Sequence, residues 1–215
     1  MRIALFGGTF DPPHRGHLAV AAAAADAFQL DRILFAPAGR QPRKPEDQPT
    51  PFADRLAMTS LACAQDPRFQ PSTVDAPHFD GAPNYTVDAL QTLSHENPHA
   101  TLFNLVGADS FLDLPRWREP SRLLELAQWI VVSRPGFSLD DLSGLNLTPH
   151  QRSRVHPLQT VHEDIAATEL RHRLEAGDPC AGLIPPEILA YIRTHRLYRE
   201  SSTPEMAEYR TNMEK

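Results

Sequence analysis

Apolar residues along the chain fall into short unbroken runs, separated by longer stretches in which they recur every three or four positions. Arg2-Ile3-Ala4-Leu5-Phe6 ends on Gly7-Gly8 and reads as a buried parallel strand. His17 to Phe28 reads as a helix whose run of alanines lets it lie close against a sheet. Ile33-Leu34-Phe35-Ala36 predicts a second strand and Phe52 to Ala64 a second helix. A Pro-rich loop from Ala76 to Asn84 leads to a helix over Val87 to Leu93, followed by strands at Thr101 to Val106 and Trp129 to Val132. Past Ser138 the pattern weakens, and helices are then predicted over Thr168 to Ala176 and Pro186 to His195. Strands alternating with helices imply an α/β fold, a Rossmann-like doubly wound parallel sheet with a small C-terminal helical part. In such folds ligands sit at the carboxyl ends of strands, where the strand order switches.

With 215 residues the chain suits one core. We read one domain over residues 1–199, its helical part at about 138–199, and a polar, disordered tail over 200–215. A hydrophobic share of 41% with 22% charged residues excludes both a disordered chain and a membrane bundle. The all-apolar run Leu18 to Ala25 is too short to cross a bilayer. The opening residues hold no signal-peptide core, so the expected location is the cytoplasm. Cys63 and Cys180 read as buried free thiols. A net charge of -6 provides no positive field for nucleic acid or an anionic membrane, so an anionic ligand must be held locally. The 21 prolines are scattered and mark rigid turns.

The segment suited to that task is Gly7-Gly8-Thr9-Phe10-Asp11-Pro12-Pro13-His14-Arg15-Gly16-His17, between the first strand and first helix. Glycines let main-chain N–H groups approach an anion, and a helix amino terminus adds favourable partial charge. His14 and His17 can both donate to phosphate oxygens. No Gly-Lys-Ser/Thr follows, which excludes a Walker loop, and the Gly-x-Gly-x-x-Gly fingerprint is missing. Without context, such a histidine pair favours a plain Gly-rich strand-to-helix turn with two surface histidines over a ligand site. Zinc would need third and fourth ligands, and neither cysteine is spaced to supply one; no protein-bound metal is expected.

These eleven residues resemble the nucleotidyltransferase superfamily with the His-x-Gly-His signature, and more narrowly the bacterial nicotinate-nucleotide adenylyltransferases. The resemblance implies transfer of the adenylyl group of ATP to nicotinate mononucleotide in NAD biosynthesis, giving deamido-NAD and pyrophosphate, with Mg²⁺ brought by ATP. Further segments carry it. Arg43-Lys44 follows the second strand, with Lys44 on the family's lysine and Arg43 in place of a histidine. Asn84-Tyr85-Thr86-Val87-Asp88 resembles a Ser-Tyr-Thr-x-Asp segment, and Gly107-Ala108-Asp109-Ser110-Phe111 the Gly-Ala-Asp-x-Phe motif. Arg134-Pro135-Gly136 resembles a turn near the adenine. Ile165-Ala166-Ala167-Thr168-Glu169-Leu170-Arg171 aligns with Ile-Ser-Ser-Thr-x-Ile-Arg, two hydroxyls having become alanine. The closing stretch from Ile184 to Tyr198 resembles the family's end and is read as structural packing.

The resemblance implies a catalytic set of His14, His17, Lys44 and Arg171. ATP would meet Gly7, Gly8, Thr9, Phe10, His14, His17, Gly107, Asp109, Arg134, Thr168 and Arg171. The pyridine nucleotide would meet Thr9, Lys44, Thr86, Asp109, Trp117 and Arg118, with Trp117 stacking on the ring and Arg118 acting through its main-chain N–H. Read alone, Trp117 is as well explained as a core residue. Other acceptors, nicotinamide mononucleotide or a phosphopantetheine, and a nucleotide-binding module with impaired catalysis are the alternatives; self-association is left open. A tRNA synthetase fragment shares the His-x-Gly-His loop, but the chain is acidic and has no Lys-Met-Ser-Lys-Ser segment.

Overall fold

A computed structural model of the chain describes residues 1–42, 49–133, 144–159 and 165–199. The apolar runs form strands β1 (Arg2–Gly8), β2 (Arg32–Pro37), β4 (Thr101–Gly107) and β5 (Gln128–Ser133), and two shorter strands, β3 (Phe69–Pro71) and β6 (Val155–Gln159), join them. The helices are α1 (Arg15–Phe28), α2 (Phe52–Cys63), α3 (Thr86–Glu96), α4 (Ala108–Leu112), α5 (Pro120–Leu126), α6 (Pro149–Arg152), α7 (Ala167–Glu175) and α8 (Pro186–Thr194). All strand pairs are parallel, in the order β3-β2-β1-β4-β5-β6. This is the doubly wound order, and it reverses between β1 and β4.

The apolar pattern does not predict β3 or β6. Both are edge strands and both contain a proline, Pro71 and Pro157, which is tolerated only where an N–H need not join the ladder. Because β6 belongs to the main sheet, the stretch expected to be helical over about 138–199 also supplies an edge strand. Its helical part is α7 and α8, with the single turn α6 before β6.

Side-chain alternation gives the sheet two buried faces. Ala4, Ile33, Phe35, Phe103, Leu105 and Ile130 meet Ala21, Ala24 and Ala25 of α1, whose small side chains let the helix approach closely. On the other face Ile3, Leu5, Leu102, Val106 and Val131 meet Val87, Leu90 and Leu93 of α3 and Leu123 and Leu124 of α5. A third cluster joins Met58 and Ala62 of α2 to Leu170 of α7 and Ile188, Leu189 and Ile192 of α8. The C-terminal helices are thereby attached beside the carboxyl ends of the strands. Cys63 and Cys180 are free and buried, as expected. Among the described residues, no helix is long and apolar enough to cross a membrane.

Candidate active site

β1 runs on through Gly7 and Gly8, two residues further than the apolar run, and the chain then folds into a tight loop before α1. Phe10 takes a left-handed φ of 49°, an uncommon state for a residue with a Cβ, and its ring is 2% exposed against Phe6, Phe35 and His17. Burial of that ring compensates the backbone. His14 is the N-cap of α1, in extended conformation, and the first turn of α1 carries no acidic side chain. The N–H of Arg15 already donates to the Leu183 carbonyl at 2.9 Å, so what favours an anion here is the helix dipole, which no acidic side chain offsets.

The two imidazoles stack, with ring centroids 3.6 Å apart and planes 25° apart. The main-chain N–H of His14 donates to Nδ1 of His17 at 3.3 Å. A neutral His17 ring therefore carries its proton on Nε2, where it can donate. His14 is 6% exposed, and its Nδ1 has no hydrogen-bond partner. Burial lowers the His14 pKa to about 4. Burial, with the neighbouring His14 second, holds His17 well below its ordinary value. Both rings are neutral at pH 7. A buried ring nitrogen without a partner is costly unless a ligand or water completes it.

Arg171, in the second turn of α7, reaches this loop across the molecule. Its Nη1 donates to the main-chain oxygen of Asp11 at 2.9 Å and its Nη2 to Oγ1 of Thr168 at 3.2 Å. Ala166 caps α7 in extended conformation without a side-chain hydrogen bond, so the first amides of α7 have no capping hydroxyl.

A cavity of about 550 Å³ opens at the switch point and is lined by Gly7, Gly8 and Thr9 as well as Thr86, Trp117 and Arg118. Its volume is that of an ordinary small-molecule site. Trp117 is half-buried and makes an edge contact with the fully buried Trp129, at 6.0 Å and 64°. It is thus both a core-packing residue and part of the cavity wall. The guanidinium of Arg118 lies 4.6 Å from the ring centre of Tyr85, another lining residue, and pairs with Glu119 at 3.7 Å.

The expected site residues therefore divide. Gly7, Gly8, Thr9, Thr86, Trp117 and Arg118 share the cavity, whereas His14, His17, Thr168 and Arg171 gather at the start of α1 and do not line it. Phe10 is a buried support for that loop. Gly107 and Asp109 stand at the end of β4 and in the first turn of α4, both exposed and both outside the cavity lining. Lys44, Arg43 and Arg134 lie outside the described residues.

Several lining residues escape sequence reasoning. Asn104 is a polar residue, 4% exposed, in the middle of an apolar strand; that interruption was the signal available for it. Asp75 and Gln41 come from irregular loops and had none. Asn84 ties the loops together: its Oδ1 accepts from the N–H of Arg40 at 2.9 Å, and its Nδ2 donates to the carbonyl of Ala76 at 2.8 Å. Among the described residues, no group of three or more His, Cys, Asp or Glu side chains is placed to hold a metal ion.

Comparison with known proteins agrees with this geometry. Residues 5–173 match the cytidylyltransferase-like family model. A protein of Roseiflexus sp. (strain RS-1), named "Probable nicotinate-nucleotide adenylyltransferase", is 42% identical over 197 residues, covering 92% of this chain and 98% of its own. One of the same name from Corynebacterium kroppenstedtii is 40% identical over 200 residues, covering 93% and 92%. Among solved structures, Plasmodium falciparum nicotinic acid mononucleotide adenylyltransferase complexed with NaAD aligns with a TM-score of 0.73 at 20% identity, covering 92% of this chain and 97% of that one. That likeness supports the fold. With a family model spanning most of its length and relatives about 40% identical over more than nine-tenths of it, the chain belongs to the cytidylyltransferase-like family, among its nicotinate-nucleotide adenylyltransferases.

Proposed function

We propose that the protein transfers the adenylyl group of ATP to nicotinate mononucleotide. A phosphate oxygen of the mononucleotide forms a bond to the α-phosphorus of ATP, the bond from that phosphorus to the bridging oxygen breaks in line, and pyrophosphate leaves with the electron pair. The products are deamido-NAD and pyrophosphate, without a covalent enzyme intermediate. The nucleophile is already an anion near neutral pH, so the protein needs no strong base, and catalysis rests on positioning and charge stabilisation.

One observation carries this reading: a single cavity takes in both the glycine-rich end of β1 and the Trp117 loop, next to a pair of neutral imidazoles at a helix amino terminus. The first would seat a phosphate, the second a flat ring. In this reading His14 and His17 contact the polyphosphate, Lys44 and Arg171 neutralise the rest of it, and Gly7, Gly8, Thr9, Gly107, Asp109, Arg134 and Thr168 complete the ATP contacts. Thr86 and Arg118 offer main-chain N–H groups to the pyridine carboxylate, which an amide would meet with its own donors. Mg²⁺ would arrive as Mg-ATP and neutralise phosphate charge, which suits an ion that keeps phosphate and water ligands. Two buried free thiols fit work in the reducing cytoplasm.

Pyrophosphate release from Mg-ATP, measured side by side with nicotinate mononucleotide, nicotinamide mononucleotide and phosphopantetheine, tests the reaction and the acceptor together. Turnover fastest with the nicotinate form is expected. Faster turnover with another acceptor would overturn the substrate. The uncapped start of α7 motivates a second reading, a nucleotide-binding module, whose signature is ATP binding with no pyrophosphate release from any acceptor.

A further inference from the structure

Asp11 is 3% exposed, and each of its three oxygens accepts a hydrogen bond from a different part of the chain. Oδ2 takes the amide of Thr50 at 3.0 Å, just before α2. The main-chain oxygen takes Nη1 of Arg171. Oδ1 takes the hydroxyl of Tyr198 at 2.5 Å, from a residue 187 positions away. Arg55, 2% exposed, supports the same loop by donating to the main-chain oxygens of Thr9 at 2.9 Å and Thr50 at 2.8 Å.

The backbone is strained at both ends of the Tyr198 contact. Past α8, Arg196 and Tyr198 take left-handed φ values of 56° and 53°, and Phe10, next to Asp11, takes 49°. Residues with a Cβ hold that conformation only where surrounding contacts enforce it, and such strain collects at functional sites. A terminal segment that served only to cover α2 would not need to swing a phenol into the loop between β1 and α1.

We propose that Tyr198 is a positioning residue for nucleotide binding: it clamps Asp11, and thereby fixes the carbonyl against which Arg171 is braced beside the histidine pair. Arg171 spends one N–H on that carbonyl and one on Thr168, and a guanidinium has five to offer. The others are aimed only as well as the brace is held. Burial, with Asp11's charge and hydrogen bond adding to it, raises the Tyr198 phenol above its ordinary value, so it remains a donor throughout the neutral range. Loss of its hydroxyl leaves a buried carboxylate oxygen without its partner, and Asp11 must turn to find another. The proposal rests on the adenylyl-transfer reading for its consequence in turnover, but its first readout is binding.

The test is Tyr198→Phe in the full chain, which keeps the ring and removes the oxygen. ATP affinity by titration calorimetry should fall about tenfold, equivalent to about 1.4 kcal/mol. The Michaelis constant for ATP should rise in step, while that for nicotinate mononucleotide stays within about twofold. In an Arg171→Ala background the same substitution should change ATP affinity little, because the brace it sets is gone. Unchanged ATP affinity in Tyr198→Phe overturns the proposal, as does an undiminished effect in the Arg171→Ala background or an equal loss for both substrates. Should Tyr198→Phe be unfolded at the assay temperature, Asp11→Asn gives the same reading: one of its two side-chain partners then faces an amide NH₂, and a selective loss for ATP is again expected. If the wild type binds ATP but releases no pyrophosphate, the adenylyl-transfer reading fails while the calorimetric test of Tyr198 still stands.

Discussion

Gly39 offers a sharp test of how the cavity wall is built. It follows β2, and its N–H donates to the carbonyl of Asp75 at 2.8 Å, so its backbone is anchored. A Cβ added there would lie 2.8 Å from the backbone nitrogen of Pro77, 2.9 Å from Cγ of Asn84, and closer still to Asn84 Oδ1. Neither neighbour can yield freely. Pro77 is main chain, and Asn84, 8% exposed, is held by its bonds to Arg40 and Ala76. In Gly39→Ala the asparagine must leave its place, giving up two hydrogen bonds at about 0.5–1.5 kcal/mol each, and overpacking adds about 1–3 kcal/mol. Against this, alanine restricts the unfolded chain and stabilises by about 0.4–1 kcal/mol where φ is compatible. The contact penalty wins, with a net loss of about 1–6 kcal/mol. For a chain of this size that lowers Tm by roughly 2–24 °C. Asn84, Tyr85 and Thr86 line the cavity, so the Michaelis constant for the pyridine nucleotide should rise while that for ATP changes little. Differential scanning calorimetry and steady-state kinetics read both effects. The double variant with Asn84→Ala should cost less than the sum of the singles, since the same clash and bonds are counted in each. A Gly39→Ala protein that melts at or above the wild-type temperature would refute the reasoning, for the entropic gain would then be unopposed.

Other perturbations address the remaining groups. His17→Ala should lower turnover by roughly 10²–10³, about 2.7–4 kcal/mol of transition-state stabilisation, if it resembles loss of an oxyanion donor; normal turnover in a folded variant contradicts its role. Trp117→Ala should raise the Michaelis constant for the pyridine nucleotide and leave that for ATP nearly alone, and a change confined to ATP would contradict the stacking role. Burial raises the Asp75 carboxyl to about 6, against the opposing charges of His78 and Arg55. Its pKa in the folded state is thus above the unfolded value, so stability is lost as pH climbs from about 4 to 6, on the order of 3 kcal/mol. Asp75→Asn should accordingly raise Tm at pH 7.5 and lose that advantage below about pH 4, as thermal melts across pH will register. His14 runs the other way. With its folded pKa lowered to about 4, the unfolded chain takes up the proton first, and stability declines as pH falls from about 6.5 to 4. His14→Gln should flatten that slope in the same melts.

Local chemistry made the central features of this chain legible from its sequence. A strand that ends in two glycines, a loop with a His-x-x-His pair and an alanine-rich helix all express themselves within a dozen residues, through strand and helix periodicity and through glycine's freedom to approach an anion. The four central strands, the doubly wound class and the family followed from such segments. The proline-bearing edges β3 and β6 did not, because an edge strand needs no continuous apolar run. Tertiary structure alone decided which groups share a site. Asp11 receives Arg171 from 160 positions away and Tyr198 from 187, Asn84 latches two loops, and Trp117 divides itself between a tryptophan in the core and an open cavity. Contacts at such separations have no period to betray them; they exist because burying three apolar clusters brings those particular ends of the chain together.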